Sequence, residues 1–324
     1  MSDDFTPTEL PENELLDSIF EDDLPEDHRS GVIAVVGRPN VGKSTLINRI
    51  LDQKIAIVTN KPQTTRKQQL GIYTNDRGQI LFVDTPGLHD PHHKLGEYMV
   101  NVAEQAIKDA DLILWVMDAS ELPQRPDEFI AETLKRFKGN TPIILALNKA
   151  DLLENPGTAP ETHLGLIEYT LAETVSGAEG IRVKHLVKQL MELLPQGPRY
   201  YPADQVSEVN LRFIASEMIR EKIILHTEKE IPHSVAVEIE EYKERTEQLT
   251  YISAIIYVER DSQKGIIIGK NGDMIKQLGM EARKEIARAL GHKVFLDLRV
   301  KVLKNWRSDD ALMRRLGYFV PKDN

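Results

Sequence analysis

Between residues 31 and 198 short apolar runs alternate with amphipathic stretches. GVIAVV (31–36), QILFV (79–83), LILWVM (112–117) and PIILAL (142–147) are nearly continuous in apolar character. That is the pattern of strands covered on both faces in a parallel sheet. STLINRIL (44–51), LGEYMVNVAEQAI (95–107), PDEFIAETLKRF (126–137) and RVKHLVKQLMELL (182–194) carry apolar residues at helical spacing. The alternation predicts a doubly wound α/β domain with a mostly parallel sheet over 31–198. PQGPRYYPAD (195–204) holds three prolines and a glycine, which predicts a linker, placed at 199–205.

After the linker the period changes. EVNLRFIASEMIREKIILHT (208–227) reads as an amphipathic helix, and SVAVEIEEY (234–242) and YISAIIYVER (251–260) alternate as antiparallel strands do. A glycine loop follows, then MIKQLGMEARKEIARAL (274–290) as helix and KVFLDLRVKVL (293–303) as strand. The order helix, strand, strand, loop, helix, strand predicts a separate α+β domain over 206–324.

Charge divides the chain in a third way. The net charge is −10, yet eleven carboxylates and one arginine fall in residues 1–30, so 31–324 holds forty acids and forty bases. Residues 1–30 contain Pro7, Pro11 and Pro25 and no sustained period, and are expected to be an acidic, largely disordered tail. The run LLDSIF (15–20) could form one amphipathic turn. Within the neutral remainder, residues 260–307 hold twelve Lys/Arg against five Asp/Glu, a local excess suited to a polyanion. The chain has no cysteine, which excludes disulfides, thiolate metal sites and cysteine nucleophiles. No apolar run approaches the roughly 20 residues that span a bilayer, and the N-terminus lacks the basic-then-apolar pattern of a signal peptide. A soluble protein is expected, with any membrane contact peripheral.

GRPNVGKST (37–45) fits G-x-x-x-x-G-K-[ST] between an expected strand and an expected helix. Gly37, Arg38, Pro39, Asn40, Val41, Gly42, Lys43, Ser44 and Thr45 would form the cradle. Its backbone N–H groups and the helix N-terminus favour phosphate. Lys43 would bridge the β and γ phosphates, and the Ser44 hydroxyl would ligate Mg²⁺. DTPG, from Asp84 through Thr85 and Pro86 to Gly87, ends a strand: Asp84 can hold Mg²⁺ through water, and the Gly87 N–H can reach the γ-phosphate. In NKAD (148–151), Asn148 and Lys149 precede Asp151, whose carboxylate can accept from guanine N1–H and its exocyclic amine. Adenine has no such donor pair, so an unpaired Asp151 would penalise ATP. Ser176, Gly177 and Ala178 could offer a backbone N–H to guanine O6. Together and in this order the segments point to a GTPase.

These segments resemble the G1, G3, G4 and G5 boxes of translation-factor-class GTPases, and QTTRK (63–67) resembles switch I. The resemblance implies that a switch threonine ligates Mg²⁺ in the GTP state, Thr65 or alternatively Thr64. SGA departs from the usual Ser-Ala-Lys or Ser-Ala-Leu of the fifth box. Many GTPases orient water with a glutamine after the glycine of DxxG. That position is Leu88, so slow intrinsic hydrolysis is expected. Asn40 either helps hold K⁺ beside the phosphates, as the resemblance implies, or only shapes the loop.

GIIIGKNG (265–272) is a second glycine loop with no Ser or Thr for Mg²⁺. Gly269, Lys270, Asn271 and Gly272 fit the GXXG of a KH domain, which clamps a single-stranded nucleic-acid backbone. Lys264 and Lys276 flank it, and the positive excess around it supplies phosphate attraction. A GTPase domain followed by a type II KH domain, with RFIASEMIREKI (212–223), IPHSVAVEIE (231–240), VERDSQKGIIIGKNG (258–272) and LGY (316–318), resembles the Era family over about 31–320. The resemblance implies binding to the 3′ region of small-subunit rRNA, small-subunit maturation and a cytoplasmic location with possible peripheral contact at the inner membrane. It implies no DNA partner. Two other readings stand: a GTPase acting on tRNA or a protein, and a non-enzymatic RNA-binding module with GTP as structural ligand.

Other features have plainer readings. His89, His92 and His93 cluster after DTPG, but no thiolate or second cluster completes a zinc shell. Trp306 and Arg307 could stack on a base, or pack the C-terminal segment. EIEEYKERTEQ (238–248) reads as a solvated hairpin, and MVNVAEQAIKDAD (99–111) as the switch II helix.

Overall fold

The computed structural model describes residues 24–319 apart from 60, 62–63, 89–92, 156–157, 204, 206–210 and 247. Most of the acidic tail, the LLDSIF run, Gln63, His89 and His92 lie outside the described residues.

The first unit is a six-stranded sheet in the order β2-β3-β1-β4-β5-β6. Its strands are β1 (Arg29–Val36), β2 (Gln69–Asn75), β3 (Gly78–Asp84), β4 (Leu112–Asp118), β5 (Ile143–Asn148) and β6 (Leu171–Thr174). All neighbours are parallel except β2, which runs antiparallel to β3 at the edge. The helices are α1 (Lys43–Leu51), α2 (Lys94–Lys108), α3 (Arg125–Phe137), the short α4 (Glu161–Leu164) and α5 (Val183–Leu193). Alternation along β1 sends Ile33 and Val35 into the layer under α1 and α5, with Leu46, Ile47, Leu186 and Leu190. Val36 faces the opposite layer, where Val100 and Ile107 of α2 meet Ile130 and Leu134 of α3.

The strands missing from the apolar pattern are β2 and β6. QLGIYTN is buried at Gln69, Gly71 and Ile72 and half-exposed elsewhere because β2 is an edge, and its turn is set by Asn75, whose Oδ1 accepts from the Arg77 and Gly78 amides. LAET is only four residues long.

The second unit runs α6 (Leu211–His226), α7 (Ile231–Ser234), β7 (Ala236–Thr246), β8 (Leu249–Val258), α8 (Asp261–Ile268), α9 (Asp273–Leu290), β9 (Lys293–Val302) and α10 (Asp310–Arg315). Its sheet order is β7-β8-β9, antiparallel then parallel. Ile252, Ala254, Ile256 and Val258 point to the helices and meet Ile219, Ile223, Leu278 and Ile286. The expected strand 251–260 is displaced by two residues, since β8 begins at Leu249 and ends at Val258. DSQKGIII forms α8 instead of an apolar approach to the glycine loop, because the Gln263 side chain accepts the Glu259 and Arg260 amides at the helix start.

A third core joins the units. Leu95 and Met99 of α2 meet Ala236, Ile255, Tyr257, Met313, Leu316 and Tyr318 around Trp306. Trp306 is fully buried, donates from Nε1 to the Ser234 carbonyl at 2.8 Å, and stacks on Tyr318 at 5.6 Å. Of its two sequence readings, this geometry takes packing. Trp306→Ala should therefore cost about 3–5 kcal/mol, as buried aromatic truncations do. Urea unfolding checks it, and a cost below about 1 kcal/mol would contradict the burial.

Candidate functional site

The first glycine loop runs from the end of β1 to the start of α1. A Cβ at Gly37 would sit 2.3 Å from the Val116 carbonyl, and one at Gly42 (φ 95°) 2.3 Å from Asn148 Nδ2. Both positions thus need glycine for close backbone approach. Asn40 also takes a left-handed conformation, φ 66°. Lys43 is buried and donates from Nζ to the carbonyls of Gly37 at 2.8 Å and Arg38 at 3.1 Å. Burial is the main cause that lowers its pKa to about 8, partly offset by Asp84 and reinforced by Arg38.

Three oxygens converge beside that ammonium. Ser44 Oγ donates to Asp84 Oδ2 at 2.7 Å and lies 3.1 Å from Thr65 Oγ1. Thr64 also lines the cavity, but its hydroxyl lies 2.7 Å from Thr59 Oγ1 and donates to the Lys61 carbonyl. Asp84 is fully buried, and burial is the largest cause of its raised pKa. Its Oδ1 has no hydrogen-bond partner. A hard-oxygen set with one orphaned, buried carboxylate oxygen suits Mg²⁺, whose charge would also restore the carboxylate.

The cavity above the loop is lined by Pro39, Asn40, Lys43, Ser44, Thr45 and Gly87 and, unforeseen from the sequence, by Ile57, Val58 and Thr59. No motif marks those three. A neighbouring pocket brings Asn40, Gly42 and Thr45 to Asn148, Lys149, Asp151, Ser176 and Ala178. Asn148 ties the two: Nδ2 donates to the Val41 carbonyl at 2.8 Å, and Oδ1 accepts the Gly177 amide at 2.9 Å. Gly177 lies against α1, where a Cβ would be 2.9 Å from Leu46 Cα, so a fifth box with alanine here would need α1 to shift. Lys149 pairs with the buried Asp118 at 2.5 Å, an anchor that sequence reading missed. Asp151 itself is exposed at the pocket mouth.

Four of the expected binding side chains face away from the cavity. Arg38 turns to Glu121 (2.8 Å) and Asp127 (3.3 Å) behind the loop. Val41 and Leu88 are in the core, and Thr85 Oγ1 donates to the Val35 carbonyl at 2.7 Å. Only the backbone of these four can serve a ligand. Pro86 is buried beside them. His93 caps α2, accepting the Gly96 amide on Nδ1 at 2.9 Å.

The segment from Lys54 to Lys67, which ends in the QTTRK run, touches the second unit along much of its length. Lys54 Nζ reaches Glu221 at 2.7 Å and also Glu285. The Val58 amide donates to Glu221 at 2.9 Å. Lys61 donates to the carbonyls of Ile224 (2.7 Å) and Thr227. Arg66 is buried and spends its guanidinium on three carbonyls: Val235 at 2.6 Å, Pro232 at 2.8 Å and His233 at 3.0 Å. Arg220 donates back to the Thr64 carbonyl.

In the second unit, Gly269 (φ 75°), Lys270, Asn271 (φ 55°) and Gly272 (φ 80°) form the turn between α8 and α9. A Cβ at Gly269 would meet Met274 at 2.6 Å, whereas one at Gly272 would point into open space. Lys270 is exposed and Lys264 half-buried. An apolar groove runs beside the turn, lined by Ile275, Lys276, Gly279, Met280, Leu296 and Leu298.

The family described as 50S ribosome-binding GTPase matches residues 32–149, and the KH domain family matches 230–307. Two solved structures of Era are each 37% identical, and each match covers 90% of this chain and all of the other. One is Era in complex with MgGDPNP and nucleotides 1506–1542 of 16S ribosomal RNA, TM-score 0.84. The other is a single-residue variant of Aquifex aeolicus Era bound to GDP·AlF4⁻, TM-score 0.83.

The burial of Lys43 sets a pH dependence. Without phosphates beside it the amine titrates at about 8, and a bound triphosphate would keep it charged. Binding then takes up a proton above that pH, so triphosphate affinity should fall as pH rises through about 8, by up to tenfold per unit. Calorimetry at fixed free Mg²⁺ from about pH 7 to about pH 9 checks it. A flat profile would contradict the burial of Lys43.

Proposed function

The chain belongs to the Era family of GTPases, and we propose that it hydrolyses GTP with Mg²⁺ while its KH domain holds the 3′ region of small-subunit rRNA during small-subunit maturation. The observation that supports this most is the joining of a phosphate, metal and guanine constellation, through the segment holding Thr65 and Arg66, to the unit that carries the GXXG turn. Among the described residues no feature favours the tRNA, protein-target or non-enzymatic reading over this one.

The loop amides from Gly37 to Ser44 would wrap the β-phosphate, and Lys43 would exchange its two loop carbonyls for β and γ oxygens. Ser44, Thr65 and Asp84 would hold Mg²⁺, which neutralises charge developing on the phosphate oxygens. Gly87 lies against Pro39, where a Cβ would come within 2.9 Å, and this leaves its amide to face a γ-phosphate. The polar head that many GTPases use to orient water is missing, because Leu88 is buried among Val36, Val100 and Ala103. Hydrolysis is accordingly slow, and Asn40 would help hold a K⁺ whose charge would supply part of what is missing. GXXG and the positive excess around it would take the RNA backbone, with bases over the groove of Ile275, Gly279, Leu296 and Leu298. A cytoplasmic location with peripheral contact at the inner membrane completes the reading. Among the described residues no helix is long and apolar enough to cross a membrane.

Asp151→Asn should weaken GTP binding by about 100-fold or more and favour xanthosine triphosphate. Unchanged GTP affinity would sink the guanine assignment.

Single-turnover hydrolysis should run faster in K⁺ than in Na⁺, and Asn40→Ala should erase the difference. Equal rates in both salts for the parent protein would remove K⁺ and leave the consequence of Leu88 standing.

Gly272→Asp places a like charge where a phosphate should lie, at a position with room for the side chain. RNA binding should fall about tenfold or more, with GTP affinity and melting temperature within error. Undiminished RNA binding would reduce GXXG to a turn.

A further inference from the structure

The KH sheet has a second face that the groove does not use. Along β9, Leu296 and Leu298 point to the groove, so alternation turns Lys293, Phe295, Asp297 and Arg299 the other way. Register places Tyr251 of β8 beside Phe295, and Lys243 of β7 beside Tyr251. On this outer face Tyr251 and Phe295 stack, centroids 5.7 Å apart and planes 20° from parallel. The Arg245 guanidinium lies 4.4 Å from the Tyr251 ring centroid. Phe295 remains 57% exposed despite the stacking.

Charge around the pair is mostly positive. Lys243, Arg245 and Lys293 are all exposed, and among the described residues none has a carboxylate within ion-pair distance. Of the acids along the face, Glu240 and Asp297 lie against Arg299, at 3.8 Å for Asp297, and Glu241, opposite Ser253, is exposed. An exposed aromatic ring, a guanidinium over its neighbour and unpaired cations are what a single-stranded nucleic acid binds by stacking and phosphate contact.

The face is also continuous with the groove. β9 is the edge strand of its sheet, and Leu296 on the groove side is adjacent in sequence to Phe295 on the outer side. A strand leaving the far end of the groove crosses one unpaired strand edge, a few ångströms wide, to reach Phe295. Far from being a brace hidden in the sheet, the ring keeps more than half its surface for a partner.

We propose that Phe295, with Tyr251, Arg245, Lys243 and Lys293, forms a base-stacking platform for single-stranded RNA that continues from the KH groove around the edge of β9. This rests on the reading of the KH unit as the RNA-binding unit and extends its footprint to a second sheet face.

The test uses the full chain loaded with MgGDPNP, and two RNAs. One spans nucleotides 1506–1542 of 16S ribosomal RNA, as seen with the Era relative. The other is the shortest truncation of it that the parent protein still binds. Phe295→Ala should weaken the long RNA by about tenfold, the loss of one stacked base, and leave the short one unchanged. Phe295→Trp should retain parent affinity for both. Equal affinity of Phe295→Ala and parent for the long RNA overturns the platform. So does an equal loss on both RNAs with a lower melting temperature, which would make the pair a sheet brace. A parent dimer that dissociates on Phe295→Ala would assign the face to a second copy of the chain and overturn it too. Sensitivity of the short RNA to Gly272→Asp reports separately on the KH reading. If that survives while Phe295→Ala has no effect, only the platform fails.

Discussion

Two neighbouring residues of switch I face opposite ways, and the joining of the two domains turns on that. In extended backbone successive side chains point to opposite sides. Thr65 therefore meets Ser44 on the nucleotide side, and Arg66 drives its guanidinium into the carbonyls of Pro232, His233 and Val235. Arg66 is buried, and burial lowers its pKa to about 10. A buried cation needs acceptors for its donors, and although Arg66 Nε has no partner, the three carbonyls on its terminal nitrogens fix Arg66 and, through one peptide unit, the position of Thr65. Any movement of Thr65 toward or away from a metal must be absorbed by the KH domain or by breaking those bonds.

Other contacts extend the same constraint along the segment that leads into Thr65. Lys54 is held between Glu221 and Glu285 on α6 and α9, and Lys61 by carbonyls at the end of α6. Across the cleft, Leu95 and Met99 of α2, the switch II helix, are packed in the core that contains Trp306. The parts of a GTPase that respond to the γ-phosphate are thus the parts that the KH domain grips. Charged hydrogen bonds of this kind are each worth about 1.5–3 kcal/mol, which is ample for a nucleotide-dependent shift of 1–3 kcal/mol, the usual coupling range.

Much of this was legible in the sequence. The phosphate loop, DTPG and NKAD announce themselves because their chemistry needs fixed residue types at fixed spacing, and GXXG does so because its turn needs residues at positive φ. What escaped has physical reasons. The edge strand β2 is half polar, β6 is too short to show a period, and α8 hides in GIII because three isoleucines read as strand. Arg38 and Leu88 were placed by their position in a motif, which fixes the backbone but leaves the side-chain direction to the surroundings. The grip of Arg66 and Lys61 on the KH domain was invisible because their acceptors are backbone carbonyls, which every residue carries. The Asn148 bridge to Val41 and Gly177 is a contact of long sequence separation with no local pattern.

The opposed contacts of Thr65 and Arg66 predict that nucleotide state and RNA affinity form one linked equilibrium. The most direct measurement is the dissociation constant for the 1506–1542 RNA with the chain loaded with MgGDPNP and with GDP, in the parent protein and in Arg66→Ala. Coupling of 1–3 kcal/mol predicts affinities that differ about 5- to 150-fold between the two nucleotides in the parent. In Arg66→Ala, provided GTP affinity and folding persist, the two affinities should converge. A ratio that Arg66→Ala leaves unchanged would contradict coupling through this residue, and a parent ratio of one would contradict coupling altogether.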